Sequence, residues 1–301
     1  MMRSILNGVI GGALVVGSLP GDGTGAAALQ PSGAPVCEAS GKLIRVAELP
    51  EGSGLAASRR TEGRFWSHND SGDAVLFALD PHGTVTGRVQ VTGASVEDWE
   101  AVAVGPSPAG SCIYIGDIGD NDANRARVTV YRVPEPAGAP ASVNVADVFH
   151  ATYPDGAHDA EALLVSADGR LHIVTKGDSG PVSLYRFPAQ LQGGRTMRLE
   201  RVGPPKDGGR PGENDRITDG SVSSDGRWVV LRSKQSVTFY RATDFFAGTW
   251  KPSRQHAVAA LGEPQGEGVA FGSANSLYLM SEGGGKKQAG AFSRLSCKLV
   301  P

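Results

Sequence analysis

A four-strand unit repeats five times along this chain, and this repetition restricts the fold more than any other feature. Each unit opens with a short apolar run that ends in serine or glycine, such as 54–58, 101–105 and 162–166. A second apolar strand, a polar loop and a third strand with an aromatic residue follow, and four units add a looser fourth strand. Short strands punctuated by glycine are typical of propeller blades rather than helices.

The period of the repeat predicts the number of blades. The residues before the first strands are separated by 47, 61, 58 and 48 positions; they are Ser53, Glu100, Glu161, Asp219 and Glu267. Propeller blades repeat about every 40 to 50 residues, with insertions in loops. The last unit lacks a fourth strand, whereas the segment 42–49 is a strand without a unit. Joining the two closes a ring, which predicts an all-β, five-bladed β-propeller over residues 42–301.

Other all-β arrangements explain the pattern less well. A six-bladed ring would need a unit that the sequence does not contain. A β-sandwich, or two stacked β domains, would not repeat a four-strand unit and leave one strand to close it.

The N-terminal region has the pattern of an export signal. Arg3 precedes a short apolar run and a stretch of small residues, which predicts a signal peptide over 1–28, followed by a flexible leader over 29–41. The apolar run is too short to span a membrane. In a secreted chain, Cys37 and Cys297 are expected to form a disulfide that ties the two ends, while Cys112 lies in an apolar strand as a buried thiol.

Charge excludes one class of partner. The formal net charge is −2, so no basic surface is available for nucleic acid. We therefore expect a secreted monomer without membrane insertion, which binds a small anionic molecule or an extracellular partner.

Blade topology places the five residues that precede the inner strands at one mouth of the central channel. Ionised carboxylates that converge in a narrow channel repel one another, and a bound hard cation relieves that repulsion. Oxygen ligands without a histidine or cysteine cluster favour Ca²⁺. The predicted ligands are Ser53, Glu100, Glu161, Asp219 and Glu267. The alternative is that these acids bond backbone amides or arginines.

The polar loops between second and third strands lie on the same face and supply candidates for chemistry. His68 and Asp70 are the candidate proton-transfer residues. The candidate groups for an anionic substrate are Arg125, Lys176, Arg232 and Lys234. The loop Asp117–Asp122 is either a second metal site or an Asx-rich turn.

With these residues in view, the chain resembles the calcium-dependent five-bladed propellers of the apyrase (calcium-activated nucleotidase) type. It is also similar to secreted esterase- and phytase-like propellers. The resemblance implies that Glu100, Glu161 and Glu267 are carboxylate ligands of a central Ca²⁺ and that Ser53 is a hydroxyl-type ligand. Asp219 departs from the pattern, because the family has a hydroxyl in that blade.

Two functions follow from these observations. The first is a metal-dependent hydrolase of a phosphate-containing or ester substrate at the channel mouth. The second is a non-catalytic propeller that binds a protein or glycan, in which calcium is only structural.

Overall fold

The repeated apolar runs form strands, as their spacing predicts. The computed structural model describes residues 35–204, 209–273, 275–285 and 287–299. Within these residues the strands pair into five separate sheets, which are the five blades of a β-propeller. In the same described ranges, one short α-helix, Ala242–Phe246, and two 3₁₀ turns, Glu213–Asp215 and Ala259–Leu261, interrupt the strands.

The blades follow one another in chain order. Blade 1 contains β3 (Gly52–Ala57), β4 (Phe65–Asn69), β5 (Val75–Leu79) and β6 (Val85–Thr92), with β10 (Ser142–Asn144) added parallel to β6. Blade 2 contains β7 (Trp99–Ser107), β8 (Gly110–Asp117), β9 (Val128–Pro134) and β11 (Asp147–Thr152), with β15 (Thr196–Arg198) added parallel to β11. Blade 3 contains β12 (Ala160–Val165), β13 (Leu171–Thr175), β14 (Leu184–Arg186) and β16 (Glu200–Gly203). Blade 4 contains β17 (Ile217–Val222), β18 (Trp228–Ser233), β19 (Ser236–Arg241) and β20 (Arg254–Ala257). Blade 5 contains β21 (Gln265–Phe271), β22 (Ser276–Glu282) and β23 (Gly290–Lys298).

The first strand of each blade is the inner one. The five inner strands β3, β7, β12, β17 and β21 contact one another in that order, and β21 contacts β3 again. This closed ring confirms the predicted five-bladed propeller.

Two N-terminal strands complete blade 5. Ile44–Val46 (β2) pairs with β23, as predicted for the segment 42–49. Val36–Ala39 (β1) also pairs with β23, although the sequence predicts a flexible leader over 29–41. The reason is Cys37, which faces Cys297 across this pair and forms the predicted disulfide with it.

Apolar side chains hold neighbouring blades together. Each large hydrophobic cluster contains residues from two adjacent blades. Trp66 of blade 1 and Trp99 of blade 2, for example, are completely buried in the same cluster. Burial of apolar surface between blades is therefore the main force that keeps the ring closed.

The predicted signal peptide and most of the predicted leader lie outside the described residues. Among the described residues, the structure contains no helix of the length and apolar character that a membrane span requires. Cys112 is buried with a free thiol, as expected.

Candidate functional site

Each inner strand has a β-bulge near its start, in which the strand contains one extra residue. One polar residue from each of the five bulges contributes to a ring of side chains. In β7 the extra residue is Glu100, and in β12 it is Glu161. The bulges of β3 and β21 include Ser53 and Glu267. All four side chains are buried. The predicted residues Ser53, Glu100, Glu161 and Glu267 thus take part in equivalent bulges of their blades, and their role as metal ligands stays a prediction.

The ring position of blade 4 is one residue earlier than the sequence predicts. The bulge of β17 falls at Thr218, not at Asp219. Thr218 Oγ1 donates a hydrogen bond to the carbonyl oxygen of Glu267 over 3.0 Å, just as Ser53 Oγ donates to that of Glu100 over 2.9 Å. Blade 4 thus contributes the hydroxyl group of Thr218 to the ring, because Thr218 is the residue that has no partner in the paired strand.

Asp219 follows the ring residue Thr218 and binds backbone amides of the neighbouring blades. Its Oδ2 accepts hydrogen bonds from the backbone amides of Val269, over 2.7 Å, and Leu55, over 3.3 Å. Complete burial raises its pKa well above the usual range, despite these amides. At the matching position of blade 5, a Cβ on Gly268 would lie 2.4 Å from the Ser53 carbonyl oxygen, so that blade has no room for a side chain there. Asp219 therefore ties the inner strands of blades 4, 5 and 1 together.

A chain of hydrogen bonds and ion pairs runs through the ring. Ser53 Oγ donates to Glu100 Oε2 over 3.0 Å, and the Glu100 and Glu161 carboxyl groups interact electrostatically. The Lys176 ammonium contacts Glu161 Oε1 and lies 3.0 Å from Asp159 Oδ2. One side-chain cation therefore interacts directly with the ring in this structure.

The ring carboxyl groups hold protons more tightly than free glutamates. Burial, followed by repulsion from Glu161, raises the pKa of Glu100 and of Glu267 well above the usual range. Burial also raises the pKa of Glu161, to about 7, although the Lys176 ammonium opposes the shift. The ring thus carries more buried carboxyl groups than its cation can neutralise.

A second tier of acids surrounds the ring. Burial raises the pKa of Asp70 to about 6, and the charges of Glu51 and Asp98 add to the effect. Burial raises the pKa of Glu282 to about 7, with contributions from Asp70 and Glu161. These acids interact with one another and with the ring, so the mouth is a cluster of coupled carboxyl groups.

These shifts predict how stability depends on pH in the presence of a chelator. Acids whose pKa is raised by folding stabilise the protein fully below their unfolded pKa, and that stabilisation is lost as pH rises through the folded value. Between pH 6.5 and 8 the free energy of unfolding should therefore fall as Glu161 and Glu282 ionise in the folded state. The buried His68 and His172, each with a pKa lowered from 6.5 to about 4, act in the opposite direction, mainly between these two pH values. Urea unfolding at pH 6.5, 7, 7.5 and 8 with EDTA measures the slope; Glu282→Gln should flatten it. Stability that rises over this range would contradict the prediction.

His68 lies in the core rather than at the channel mouth. Its ring is completely buried and packs edge-on against Trp99, with centroids 5.7 Å apart. Nδ1 interacts with the Asn69 carbonyl oxygen over 3.1 Å, and Nε2 has no partner among the described residues. Burial lowers its pKa to about 4, so it is neutral at pH 7. Asp70 is the member of the predicted pair that interacts with the acids of the mouth.

Arg125 and the loop after β8 form a local structural unit. Arg125 Nη2 lies 2.9 Å from Asp117 and 3.0 Å from Glu97. The Asp120 carboxylate accepts hydrogen bonds from the backbone amides of Asn124, over 2.9 Å, and Arg125, over 2.8 Å. These bonds favour the Asx-rich turn over a second metal site.

Arg232, predicted to bind an anionic substrate, is completely buried. Its Nη1 donates to the carbonyl oxygens of Gly268, over 2.6 Å, and Met280, over 2.8 Å, while Nη2 pairs with Glu263. The guanidinium thus joins blades 4 and 5 and is not accessible to a ligand. Lys234, two residues later, has a side chain that is 37% exposed and lies 3.8 Å from Glu213.

The ring has the donor chemistry of a cation site but not the arrangement of one in this structure. Over the described ranges, no group of three or more His, Cys, Asp or Glu side chains is arranged to hold a metal ion. The ring nevertheless offers only oxygen donors, and its buried carboxyl groups have raised pKa values, which is the chemistry that a hard cation would satisfy. The donor set therefore fits a cation, while Lys176 engages Glu161 in its place.

Comparison with known proteins supports the fold and goes no further. No protein-family profile and no curated protein matches the chain. Among solved structures, the major Malassezia sympodialis allergen Mala s 1 superposes with a TM-score of 0.55 at 12% identity over 86% of this chain and 96% of that one. The PQQ-bound aldose sugar dehydrogenase of Streptomyces coelicolor superposes with a TM-score of 0.52 at 11% identity over 89% of this chain and 100% of that one. At such identities the likeness shows that the chain has the propeller fold and assigns it to no family.

Proposed function

We propose that this protein is a secreted propeller that binds a hard divalent cation, Ca²⁺ by preference, at the ring of its channel mouth and hydrolyses a phosphate-containing or ester substrate there. The observation that carries the proposal is the convergence of Glu100, Glu161 and Glu267, all buried and all with raised pKa values. Such a set is costly to keep without positive charge.

The residues that would hold the cation are oxygen donors. They are the carboxyl groups of Glu100, Glu161 and Glu267 and the hydroxyl groups of Ser53 and Thr218. Hydroxyl and carboxylate oxygens suit Ca²⁺ better than zinc or copper. A bound cation would polarise a substrate oxygen.

Asp70 is the candidate proton acceptor in this proposal. Its pKa is raised to about 6, so it is mostly ionised at pH 7 and still basic enough to accept a proton from water. One of its oxygens is buried without a hydrogen-bond partner among the described residues. His68 is not used, because its ring is sealed in the core.

Two further observations support parts of the proposal, and a third is neutral. The Cys37–Cys297 disulfide suits an extracellular protein, since disulfides persist in oxidising compartments. One structural neighbour is a sugar dehydrogenase, an enzyme that acts on a small molecule, but the other is described as an allergen. The fold alone therefore does not decide the activity. The resemblance to calcium-dependent apyrase-type propellers is the reason to test nucleotides first.

The alternative is a non-catalytic propeller in which the cation only stabilises the ring. Arg125 and Arg232 form internal ion pairs and Lys176 pairs with Asp159 and Glu161, which leaves less positive charge for an anionic substrate than the sequence predicts. This observation favours a binding role for the loop face.

Calorimetry with chelator-treated protein tests the cation site. Wild-type protein should bind Ca²⁺, and saturation at about 100 times the dissociation constant should raise the free energy of unfolding by about 2.7 kcal/mol. Glu267→Gln should weaken Ca²⁺ binding on the order of tenfold or more, because it removes a charged ligand. Asp219→Asn is the matched control: it lies in the channel outside the ring, so Ca²⁺ affinity should not change.

A substrate panel separates the two functions. Nucleotides, phytate and aryl esters are each assayed with Ca²⁺ and with chelator. Calcium-dependent turnover that is lost in Glu267→Gln and in Asp70→Asn supports the hydrolase. Ca²⁺ binding without turnover on any substrate supports the binding propeller. Absence of Ca²⁺ binding and of any stabilisation by Ca²⁺ contradicts the cation site itself.

A further inference from the structure

Lys176 supplies a cation to the ring from within the chain. It directly follows β13, and its ammonium contacts Glu161 and lies 3.0 Å from Asp159 Oδ2. Both carboxylates are buried, whereas the lysine side chain is 22% exposed and extends inward from the loop. The ammonium therefore interacts with the same Glu161 carboxylate that the proposed cation would use.

We propose that Lys176 and a divalent cation exchange at Glu161: cation binding expels the ammonium from the ring, and the expelled ammonium then binds an anionic group of the ligand at the channel mouth. This inference rests on the proposed cation site and deepens it, since it couples cation binding to anion binding. The ligand chemistry is a phosphate or carboxylate oxygen, which a lysine contacts as a point charge.

Electrostatics make the two occupants exclude each other. A divalent cation held by Glu161 would lie within a few ångströms of the ammonium, and like charges at that distance repel strongly in a poorly solvated site. Conversely, loss of the ammonium leaves the buried Glu161 and Asp159 carboxyl groups without their cation, which favours entry of another cation.

The backbone around Lys176 allows this exchange without a change of fold. The Lys176 amide donates to the Asp159 carbonyl oxygen over 3.0 Å, and its own carbonyl oxygen accepts from the Ile217 amide over 3.0 Å. Asp159 Oδ1 is held separately by the Asp120 amide, over 2.8 Å. The main chain is therefore fixed on both sides, so that rotation of the long, partly exposed lysine side chain is enough to vacate the ring.

The first experiment measures Ca²⁺ affinity by calorimetry in three proteins. Lys176→Met should bind Ca²⁺ about tenfold more tightly than the wild type, because it removes the internal competitor. Lys251→Met, which removes an exposed lysine of blade 4, should match the wild type. Circular dichroism confirms the fold of each protein, and Lys176→Gln, which keeps a hydrogen-bond donor, replaces the methionine variant if that variant does not fold.

The second experiment measures binding of inorganic phosphate with and without saturating Ca²⁺. In wild-type protein Ca²⁺ should tighten phosphate binding by about the same factor by which phosphate tightens Ca²⁺ binding, since coupling between sites is reciprocal. In Lys176→Met much of this gain should disappear, although Ca²⁺ binds more tightly. A structural role for the lysine alone would not produce this opposite change in two affinities.

The outcomes separate this inference from the proposed function. If wild-type protein binds Ca²⁺ and Lys176→Met binds it no more tightly, the exchange is wrong and the cation site stands. If only Lys176→Met binds Ca²⁺, the exchange and the native cation site are both wrong, because the lysine then neutralises the ring permanently in the native protein. If neither protein binds Ca²⁺, both proposals are wrong.

Discussion

Replacement of Arg232 by methionine is expected to lower the free energy of unfolding by about 3 to 5 kcal/mol, because it leaves a buried carboxylate without its cation. The Arg232 guanidinium is completely buried and pairs with Glu263, which is itself buried. It also satisfies the carbonyl oxygens of Gly268 and Met280 in the neighbouring blade. Methionine fills a similar length but replaces none of these bonds.

Urea unfolding followed by tryptophan fluorescence measures this loss. Lys234→Met is the control, since Lys234 is exposed and its partner is 3.8 Å away, and a surface pair of this kind contributes about 1 kcal/mol or less. The double variant Arg232→Met with Glu263→Gln should recover part of the stability, because no unpaired charge then remains buried. A loss for Arg232→Met no greater than that of the control would mean that the guanidinium does not hold blades 4 and 5 together.

The number of blades could be predicted from the sequence because each blade repeats the same order of apolar, polar and turn residues. Short apolar runs separated by turns recur, and the segment 42–49 lies at the opposite end of the chain from the incomplete last unit. The structure pairs Ile44–Val46 with the last blade as predicted. It adds Val36–Ala39, a strand that the expected Cys37–Cys297 disulfide brings to the last blade but that the sequence, which predicts a leader there, does not indicate.

The composition of the ring could be predicted only in part. Ser53, Glu100, Glu161 and Glu267 precede small-residue runs, and each takes part in a bulge. In blade 4 the acidic residue before such a run is Asp219, but the bulge lies at Thr218. A β-bulge adds one residue to one strand of a pair, and its exact position depends on the register with the partner strand. This register cannot be predicted from the residue types alone.

The roles of the basic residues were the hardest to predict. Lys176 and Arg232 both stand near the end of a second strand and look like loop charges in the sequence. β18 extends through Ser233, however, so the Arg232 side chain alternates inward and becomes a core residue. Lys176 remains partly exposed but turns toward the ring. The face of the strand to which a side chain points, rather than its charge, decides whether a basic residue is accessible to a ligand.

Lys176 and Arg232 differ in how firmly their partners hold their side chains. Arg232 has three protein partners and no exposure, so its position is fixed. Lys176 has two carboxylate partners, and one of them, Glu161, also interacts electrostatically with Glu100 within the ring. Loss of the first residue is therefore expected to damage the fold, whereas loss of the second should alter the charge of the ring. The two substitutions together test whether stability and ligand binding are separate properties of this propeller.

Replacement of Cys37 by serine is expected to lower the free energy of unfolding by about 2 to 5 kcal/mol. The disulfide joins residues 260 positions apart, so it restricts nearly the whole unfolded chain, and the entropy gained by the unfolded state grows with loop length. The bond also holds β1 against β23, where Cys37 directly faces Cys297. Without the bond, β1 has only its backbone pairing and a mostly exposed surface to keep it on the last blade.

Thermal unfolding with and without a reducing agent measures the contribution of this bond in one design. Wild-type protein should lose stability on reduction and then match Cys37→Ser, while Cys37→Ser should be insensitive to the reductant. Its insensitivity also excludes an effect through Cys112, which is buried and free in both proteins. In the protein without the disulfide, the amides of β1 should lose their protection from hydrogen exchange first. The amides that pair β2 with β23 should lose protection only at a higher temperature. Equal stability of the reduced and oxidised wild type would show that the ring is closed by strand pairing and apolar packing alone, and that the covalent link between its ends is dispensable.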